Sequence, residues 1–318
     1  MPQSCLIVGA GLAGLTAAYY LSQQGHPVTV LDKGKGVGGR LASKTIAGAR
    51  FDYGAQYFSA KSPEFQHLVQ QLEQAKIVSA WRPNPSFSND RYIGNHGMSS
   101  IAKQLAKGLQ VHTTEKVILL QAIATGVRAT TESGNTYEAD QLVLTMPVPQ
   151  SLALLTQSQL TLSSEVASAL SAIDYEPCIA LMVALRGPSQ LPASGSVTLE
   201  HSAIAWIADN FKKGISPLPS VTIHANATFS RTHFDDPLEQ TTQRLLAEAA
   251  PWLPEEVFSD YRIHRWRYSL AHQRHPAPYL LEHLPFAVYF AGDAFGEGNV
   301  EGAYLSGKAV AESIQKLP

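Results

Sequence analysis

The chain has 318 residues and a formal net charge of −2, and its basic residues form no dense run, which argues against a nucleic-acid or anionic-membrane surface. That length allows one large or two modest domains with ample core. Only Cys5 and Cys178 are present, and no Cys or His spacing suits a metal. Both cysteines are expected as buried thiols in a reducing cytoplasm.

Taken in chain order, Ser4-Cys5-Leu6-Ile7-Val8 is an apolar strand that runs into Gly9-Ala10-Gly11-Leu12-Ala13-Gly14. This is the dinucleotide fingerprint: the first glycine permits the tight turn, the second lets backbone approach a pyrophosphate, and the third lets helix pack on strand. Leu15 to Gln24 continues as a helix whose N-terminus would face phosphates. No charge occurs from Ser4 to Gln24, yet the three glycines, the polar interruptions and the missing basic flank argue against a membrane span or a signal peptide. The strand Pro27 to Leu31 ends at Asp32, near the offset of about 20 residues at which an acid grips a ribose hydroxyl.

Gly34 to Arg40 is too glycine-rich for regular structure and is expected as a loop. A helical period returns at Pro63 to Ala75, with Phe65, Leu68, Val69 and Leu72 on one face. A second helix is expected from Ser99 to Leu109, after the Gly94-Asn95-His96-Gly97 turn. Three strands follow, Lys116 to Ala122, Gly126 to Glu132 and Leu142 to Thr145, and the prolines at 147 and 149 are expected to stop the pattern.

From about Ser163 the texture changes. A helix to Ile173 precedes strand-like segments Ile179 to Leu185, Ala203 to Ala208 and Val221 to Ala225. A helix from Leu238 to Ala249 and a strand-like Val257 to Tyr268 complete a block with no phosphate turn. The last segment resumes the opening character: strand Ala287 to Ala291, then Gly292-Asp293, then a helix from about Asn299 to Lys316. The expected fold is α/β. A discontinuous Rossmann-like nucleotide domain (1–77, 95–160 and 284–318) carries an inserted α+β antiparallel-sheet substrate domain (78–94 and 161–283).

The fingerprint with Asp32, the Gly38-Gly39-Arg40 turn, and Ala291-Gly292-Asp293 before Gly302-Ala303-x-x-Ser306-Gly307 resemble the flavoprotein superfamily of amine oxidases and phytoene-desaturase-like enzymes. Within it, five further segments are similar to the renalase family: Phe51-Asp52-Tyr53-Gly54-Ala55-Gln56-Tyr57, Gly97-Met98-Ser99-Ser100-Ile101, Leu144 to Pro149, Ile207-Ala208-Asp209-Asn210 and His264-Arg265-Trp266-Arg267-Tyr268. The fingerprint alone serves NAD as well as FAD. The second half-site at Gly292-Asp293 favours FAD, because a nicotinamide-only protein has no need of it.

The resemblance implies FAD contacts at Gly9, Gly11, Leu12, Ala13, Gly14, Asp32, Lys33, Gly39, Arg40, Gly292, Asp293 and Val300, the plain alternatives being a capping or solvated acid at Asp32, an exposed lysine at Lys33 and a surface arginine at Arg40. Val117 would give its backbone to the adenine, or else is an ordinary core valine. Gln56 and Tyr57 are expected beside the isoalloxazine, with Met98 either there or simply packing. No covalent link is implied, since neither cysteine lies near the late flavin motif. The implied chemistry is hydride transfer from 2- or 6-dihydro-NAD(P) to the flavin, giving NAD(P)+, with O2 reduced to hydrogen peroxide. Such a pocket needs flat aromatic walls and a polar rim, for which Trp206, His224, Trp266 and Tyr268 are the candidates, each with a plain structural alternative. Arg265 and Arg267 could bind substrate phosphates or form a solvated face. An amine or polyene oxidoreductase, with Trp266 and Tyr268 as an amine cage, is the competing enzyme, and a flavin- or NAD-binding sensor without turnover is the non-enzymatic alternative.

Overall fold

The computed structural model describes residues 2–82, 90–254 and 257–316. The chain forms two compact units, each assembled from separated stretches. Unit one comprises Met1–Gly39, Ala102–Asp174 and Ala271–Pro318; unit two comprises Arg40–Ile101 and Tyr175–Leu270. Residues 40–77 and 95–101, grouped with the nucleotide domain in the sequence reading, thus fall in unit two by compactness. Of the 78–94 stretch, 83–89 lies outside the described residues.

Unit one is organised by a six-stranded sheet in the order Leu280–His283, Ala287–Phe290, Gln141–Leu144, Cys5–Val8, Val28–Leu31, Gln110–His112. The last five are mutually parallel, and Leu280–His283 joins antiparallel at the edge. Cys5–Val8 and Gln141–Leu144 are buried at every residue, as expected of central strands covered on both faces. The chain winds one way from Cys5–Val8 to Val28–Leu31 and Gln110–His112, then returns on the other side at Gln141–Leu144. That reversal creates a topological switch point beside Gly9.

The opening helix, Leu12–Gln23, and the closing helix, Asn299–Gln315, pack in close contact, because a Cβ on Gly307 would stand 2.2 Å from the Ala13 carbonyl oxygen. Tyr20 and Tyr304 join their hydroxyls at 2.7 Å across the same contact. A separate antiparallel sheet holds Val117–Ile123, Gly126–Thr131 and Thr136–Ala139, the last strand not anticipated from sequence. The strand ends at Leu144, ahead of Pro147 and Pro149, as expected, but the helix that follows was not anticipated. Helix Val148–Gln157 begins there, with Pro147 as N-cap and a proline in the first turn, where a missing N–H costs no hydrogen bond.

Unit two is built on a five-stranded sheet in the order Ser196–Thr198, Ile204–Asp209, Ser220–Ala225, Asp174–Leu185, Phe258–Gln273. The three pairings among its first four strands are antiparallel. Strand Asp174–Leu185 is used on both faces with period two. Ile179, Leu181 and Val183 join Ile207, Ile223 and Leu245 of helix Leu238–Ala249 in one core. Met182 and Ala184 pack on Ile46, Ala49 and Phe51 of the hairpin Ser43–Ile46/Ala49–Asp52. That hairpin turns at Ala47 and Gly48, both at positive φ, as a two-residue turn matched to strand twist requires. A second hairpin pairs Val78–Trp81 with Arg91–Gly94. Among the described residues no helix is long and apolar enough to cross a membrane.

Candidate functional site

The residues expected to cradle a nucleotide's phosphates and ribose lie mainly in unit one. Gly9 leaves strand Cys5–Val8 at φ +114°, and Thr145 Oγ1 donates to its carbonyl at 2.9 Å. The opening helix starts at Gly11 with no side-chain cap, so the N–H groups of Leu12, Ala13 and Gly14 have no intrahelical acceptor. A Cβ on Gly11 would meet no atom within 4 Å. This is an open cradle beside uncapped donors. Gly38 donates to the Ala10 carbonyl at 2.8 Å, and a Cβ on Gly39 would come 3.5 Å from the Gly11 Cα.

Asp32 closes the turn. Its Oδ2 accepts from the Ala10 N–H at 2.7 Å and its Oδ1 from the Gly34 N–H at 2.6 Å; each oxygen keeps acceptor capacity for a ribose hydroxyl. Lys33 extends to Gln150 Oε1 at 3.0 Å in an exposed position, and Val117 is half-buried at the start of its strand. At the end of Ala287–Phe290, Gly292 (φ +143°) donates to Ser306 Oγ at 2.8 Å, with Asp293 next in the chain. The closing helix starts at Gly298 (φ +75°), again without a side-chain cap, and Val300 sits in its first turn. Two uncapped helix N-termini therefore stand at the carboxyl ends of two parallel strands with one strand between them. With a carboxylate at the end of the neighbouring strand, this donor and acceptor set fits a dinucleotide with two phosphates and a ribose on its adenosine side.

The candidate catalytic side chains gather in unit two. In register, Trp206 pairs with His224 and His224 with Ala180. A bulge between Ile204 and Trp206 lets Ile204 and Ile207 both enter the helix-side core while Trp206 packs instead with Tyr57, Trp81, Ile93 and Ile215. Ring centroids are 5.6 Å for Tyr57–Trp206, 6.0 Å for Tyr57–Trp81 and 6.3 Å for Trp81–Trp206. The Trp206 Nε1–H is buried and has no hydrogen-bond partner.

The Tyr53 carbonyl accepts from Trp266 Nε1–H at 2.8 Å and contacts His224 Nε2 at 3.2 Å. Burial pushes the His224 imidazole down to about 4, so the ring is neutral at pH 7 and its Nε2–H is the donor. Trp266 stacks on Tyr53 at 5.3 Å and 16°, whereas Tyr268 packs edge-on against Tyr175 at 5.6 Å. The two rings expected as a pair have different partners. Gln56 Nε2 donates to the carbonyls of Asp52 (2.6 Å) and Gly54 (3.3 Å), leaving its buried Oε1 without a partner.

Arg40 Nη1 donates to the carbonyls of Tyr268 and Ser269, each at 3.3 Å, and the Arg40 carbonyl accepts from Ala55 N–H at 2.9 Å. A Cβ on Gly54 would stand 2.0 Å from that oxygen, so this arginine also seats the turn from Tyr53 to Tyr57. Met98 is fully buried, and its N–H donates to Asp52 Oδ1 at 2.8 Å. Arg267 lies over the Phe234 ring and 3.5 Å from Asp235, and Arg265 bonds the Asp236 carbonyl.

Sequence reasoning missed Lys213 and Trp81. Lys213 Nζ lies 2.9 Å from Asp52 Oδ2, with both side chains fully buried, and 5.3 Å from the Trp81 centroid. A lysine in a polar loop gives no local sign of such burial.

Residues 79–315 match the model of the flavin containing amine oxidoreductases, and residues 7–72 match that of an NAD(P)-binding Rossmann-like domain. The chain belongs to the flavin containing amine oxidoreductase family and is a flavin-dependent oxidoreductase. Within that class it is renalase-like: it is similar to renalase of Mus musculus, 26% identical over 98% of this chain and 98% of that protein. Solved structures share the fold. Putrescine oxidase bound to putrescine covers 100% of both chains at TM-score 0.74 and 15% identity. A fatty acid isomerase from P. acnes covers 97% of this chain and 98% of its own at TM-score 0.71 and 13% identity.

Proposed function

We propose that the protein is an oxidase that takes hydride from 2- or 6-dihydro-NAD(P), with non-covalently bound FAD as cofactor and O2 as electron acceptor. When bound, FAD would supply the redox chemistry, by which the donor's hydride and one proton from solvent end on O2 as hydrogen peroxide and the donor becomes NAD(P)+. Gly11, Asp32, Gly292 and the first turns of the two helices would hold the cofactor. The two cysteines support the non-covalent reading. Cys5 is buried in the first strand, Cys178 sits in unit two, and burial pushes both thiols up to about 12. Inert free thiols also suit a reducing, cytoplasmic setting.

The observation that carries the substrate reading is the ring cluster of Tyr57, Trp81 and Trp206 with its orphaned indole N–H. Flat rings suit a planar nicotinamide, and a buried donor without an acceptor needs one; the Trp206 N–H would donate to the carboxamide oxygen. Hydride transfer needs no strong base, and the neutral His224, committed to the Tyr53 carbonyl, orients rather than deprotonates. An amine substrate fits less well, because the cluster already carries the protein's own cations. Arg91 lies 5.4 Å from the Tyr57 centroid and Lys213 lies 5.3 Å from that of Trp81. A substrate ammonium would compete with them for the same electron-rich rings.

The test is anaerobic mixing of the yellow holoenzyme with 2-, 4- and 6-dihydro-NAD(P) and with simple amines. Rapid bleaching by the 2- or 6-isomer is expected. Bleaching by amines alone, or by none of these donors, overturns the reading. Heating followed by filtration should release the yellow colour into the filtrate.

A further inference from the structure

In unit two Asp52 and Lys213 form an ion pair with both side chains at 0% exposure. Removing two charges from water is repaid only by close geometry and further hydrogen bonds, and a well-packed apolar pair is often as stable. The contacts of this pair therefore point to what else it does. Asp52 Oδ1 accepts from Ser43 Oγ at 2.6 Å and from Met98 N–H at 2.8 Å, and its Oδ2 takes Lys213. Its carbonyl accepts from Gln56 Nε2 at 2.6 Å and Thr222 Oγ1 at 2.9 Å. A Cβ on Gly97 would lie 2.4 Å from Ser43 Oγ and 2.9 Å from Asp52 Oδ1, so Gly97 permits that convergence.

Lys213 sits on a turn that is fixed in its own right. Its N–H donates to the Asp209 carbonyl at 2.9 Å, and Asp209 Oδ1 accepts from the N–H groups of Phe211 and Lys212, each at 2.9 Å. Through this one pair, the 209–216 loop, the Ser43–Asp52 hairpin and the turn from Tyr53 to Tyr57 share an anchor. The Lys213 ammonium also lies against Trp81, which packs on Tyr57 and Trp206.

We propose that Asp52 and Lys213 are positioning residues whose buried pair sets the register of Gln56, Tyr57 and the Trp81–Trp206 rings. The proposal rests on the flavin-oxidase reading for the part those residues play. Its test uses holoenzyme carrying Asp52→Asn, Lys213→Met, and both changes together. Each single variant leaves a buried group uncompensated and should lower the melting temperature; the double variant should recover most of that loss. In the double variant the flavin absorption maxima should stay shifted from the parent's. KM for the bleaching donor should stay about tenfold raised with little change in kcat, the scale of one misplaced ring contact. A double variant with parental stability, absorption and KM makes the pair purely structural and overturns the proposal, as do single variants without effect. The absorption arm needs no donor, so it decides the matter even where no dihydronicotinamide bleaches the parent.

Discussion

Gly14 packs under Gly9 so tightly that a Cβ on Gly14 would stand 2.0 Å from the Gly9 carbonyl oxygen. The third glycine of the fingerprint serves helix-on-strand packing, while Gly11 has open space around it and an ordinary φ of −75°, the setting that close approach of a ligand would need. The two should separate experimentally. Gly14→Ala should fail to accumulate as folded protein, or melt far below the parent. Gly11→Ala should fold with nearly parental melting of the apoprotein and lose flavin, read by absorbance after purification. A yellow Gly11→Ala protein with parental flavin affinity would rule out this division of roles.

Asp32 holds two backbone N–H groups and faces the end of strand Val28–Leu31. Asp32→Ala removes both acceptors and the charge, each charge-assisted bond being worth roughly 1.5–3 kcal/mol. Fluorescence titration of the apoprotein with FAD should show affinity reduced at least about tenfold.

His224 gives a pH signature. Its folded value is pushed by burial to about 4 from 6.5, so between these limits the unfolded chain binds a proton that the native state does not. Stability from this residue is therefore complete above pH 6.5 and falls as pH drops towards 4, by up to about 3 kcal/mol. Denaturant unfolding from pH 7.5 to 4 should show that decline, and His224→Gln should flatten it.

Trp206→Phe keeps a ring in the cluster and deletes the orphaned indole N–H. The melting temperature should be nearly unchanged, while KM for the dihydronicotinamide donor rises by about one order of magnitude, the value of one hydrogen bond to a bound ligand. An unaltered KM would remove Trp206 from carboxamide recognition.

The strand–turn–helix elements at both ends of the chain were legible because their signals are local: strand, glycine turn, helix and acid lie within residues 4–32, and the second turn repeats the pattern at 287–293. The helix Val148–Gln157 was not, because Pro147 and Pro149 look like a stop until the N–H groups they lack are known to be the ones a helix start leaves unused. The four-residue strands Ser43–Ile46 and Ala49–Asp52 turn at Ala47-Gly48, a weaker signal than Asn-Gly. The ring cluster was only half legible. Trp206 was named as a pocket candidate, but the bulge that admits Ile204 to the core beside Ile207, and the partner rings at 57 and 81, come from pairing between distant segments. Lys213 lies 161 residues from Asp52, and nothing in Phe211-Lys212-Lys213 separates the buried lysine from its neighbour.

The contact of Gly307 with Ala13 bears on how the protein is made. Strand Cys5–Val8 and helix Leu12–Gln23 are synthesised well before strand Ala287–Phe290 and helix Asn299–Gln315, which extend their sheet and pack on that helix. Throughout translation the fingerprint segment carries uncovered apolar surface, while most of unit two is already available to fold. Nascent chains stalled before residue 287 should thus be heavy clients of chaperones.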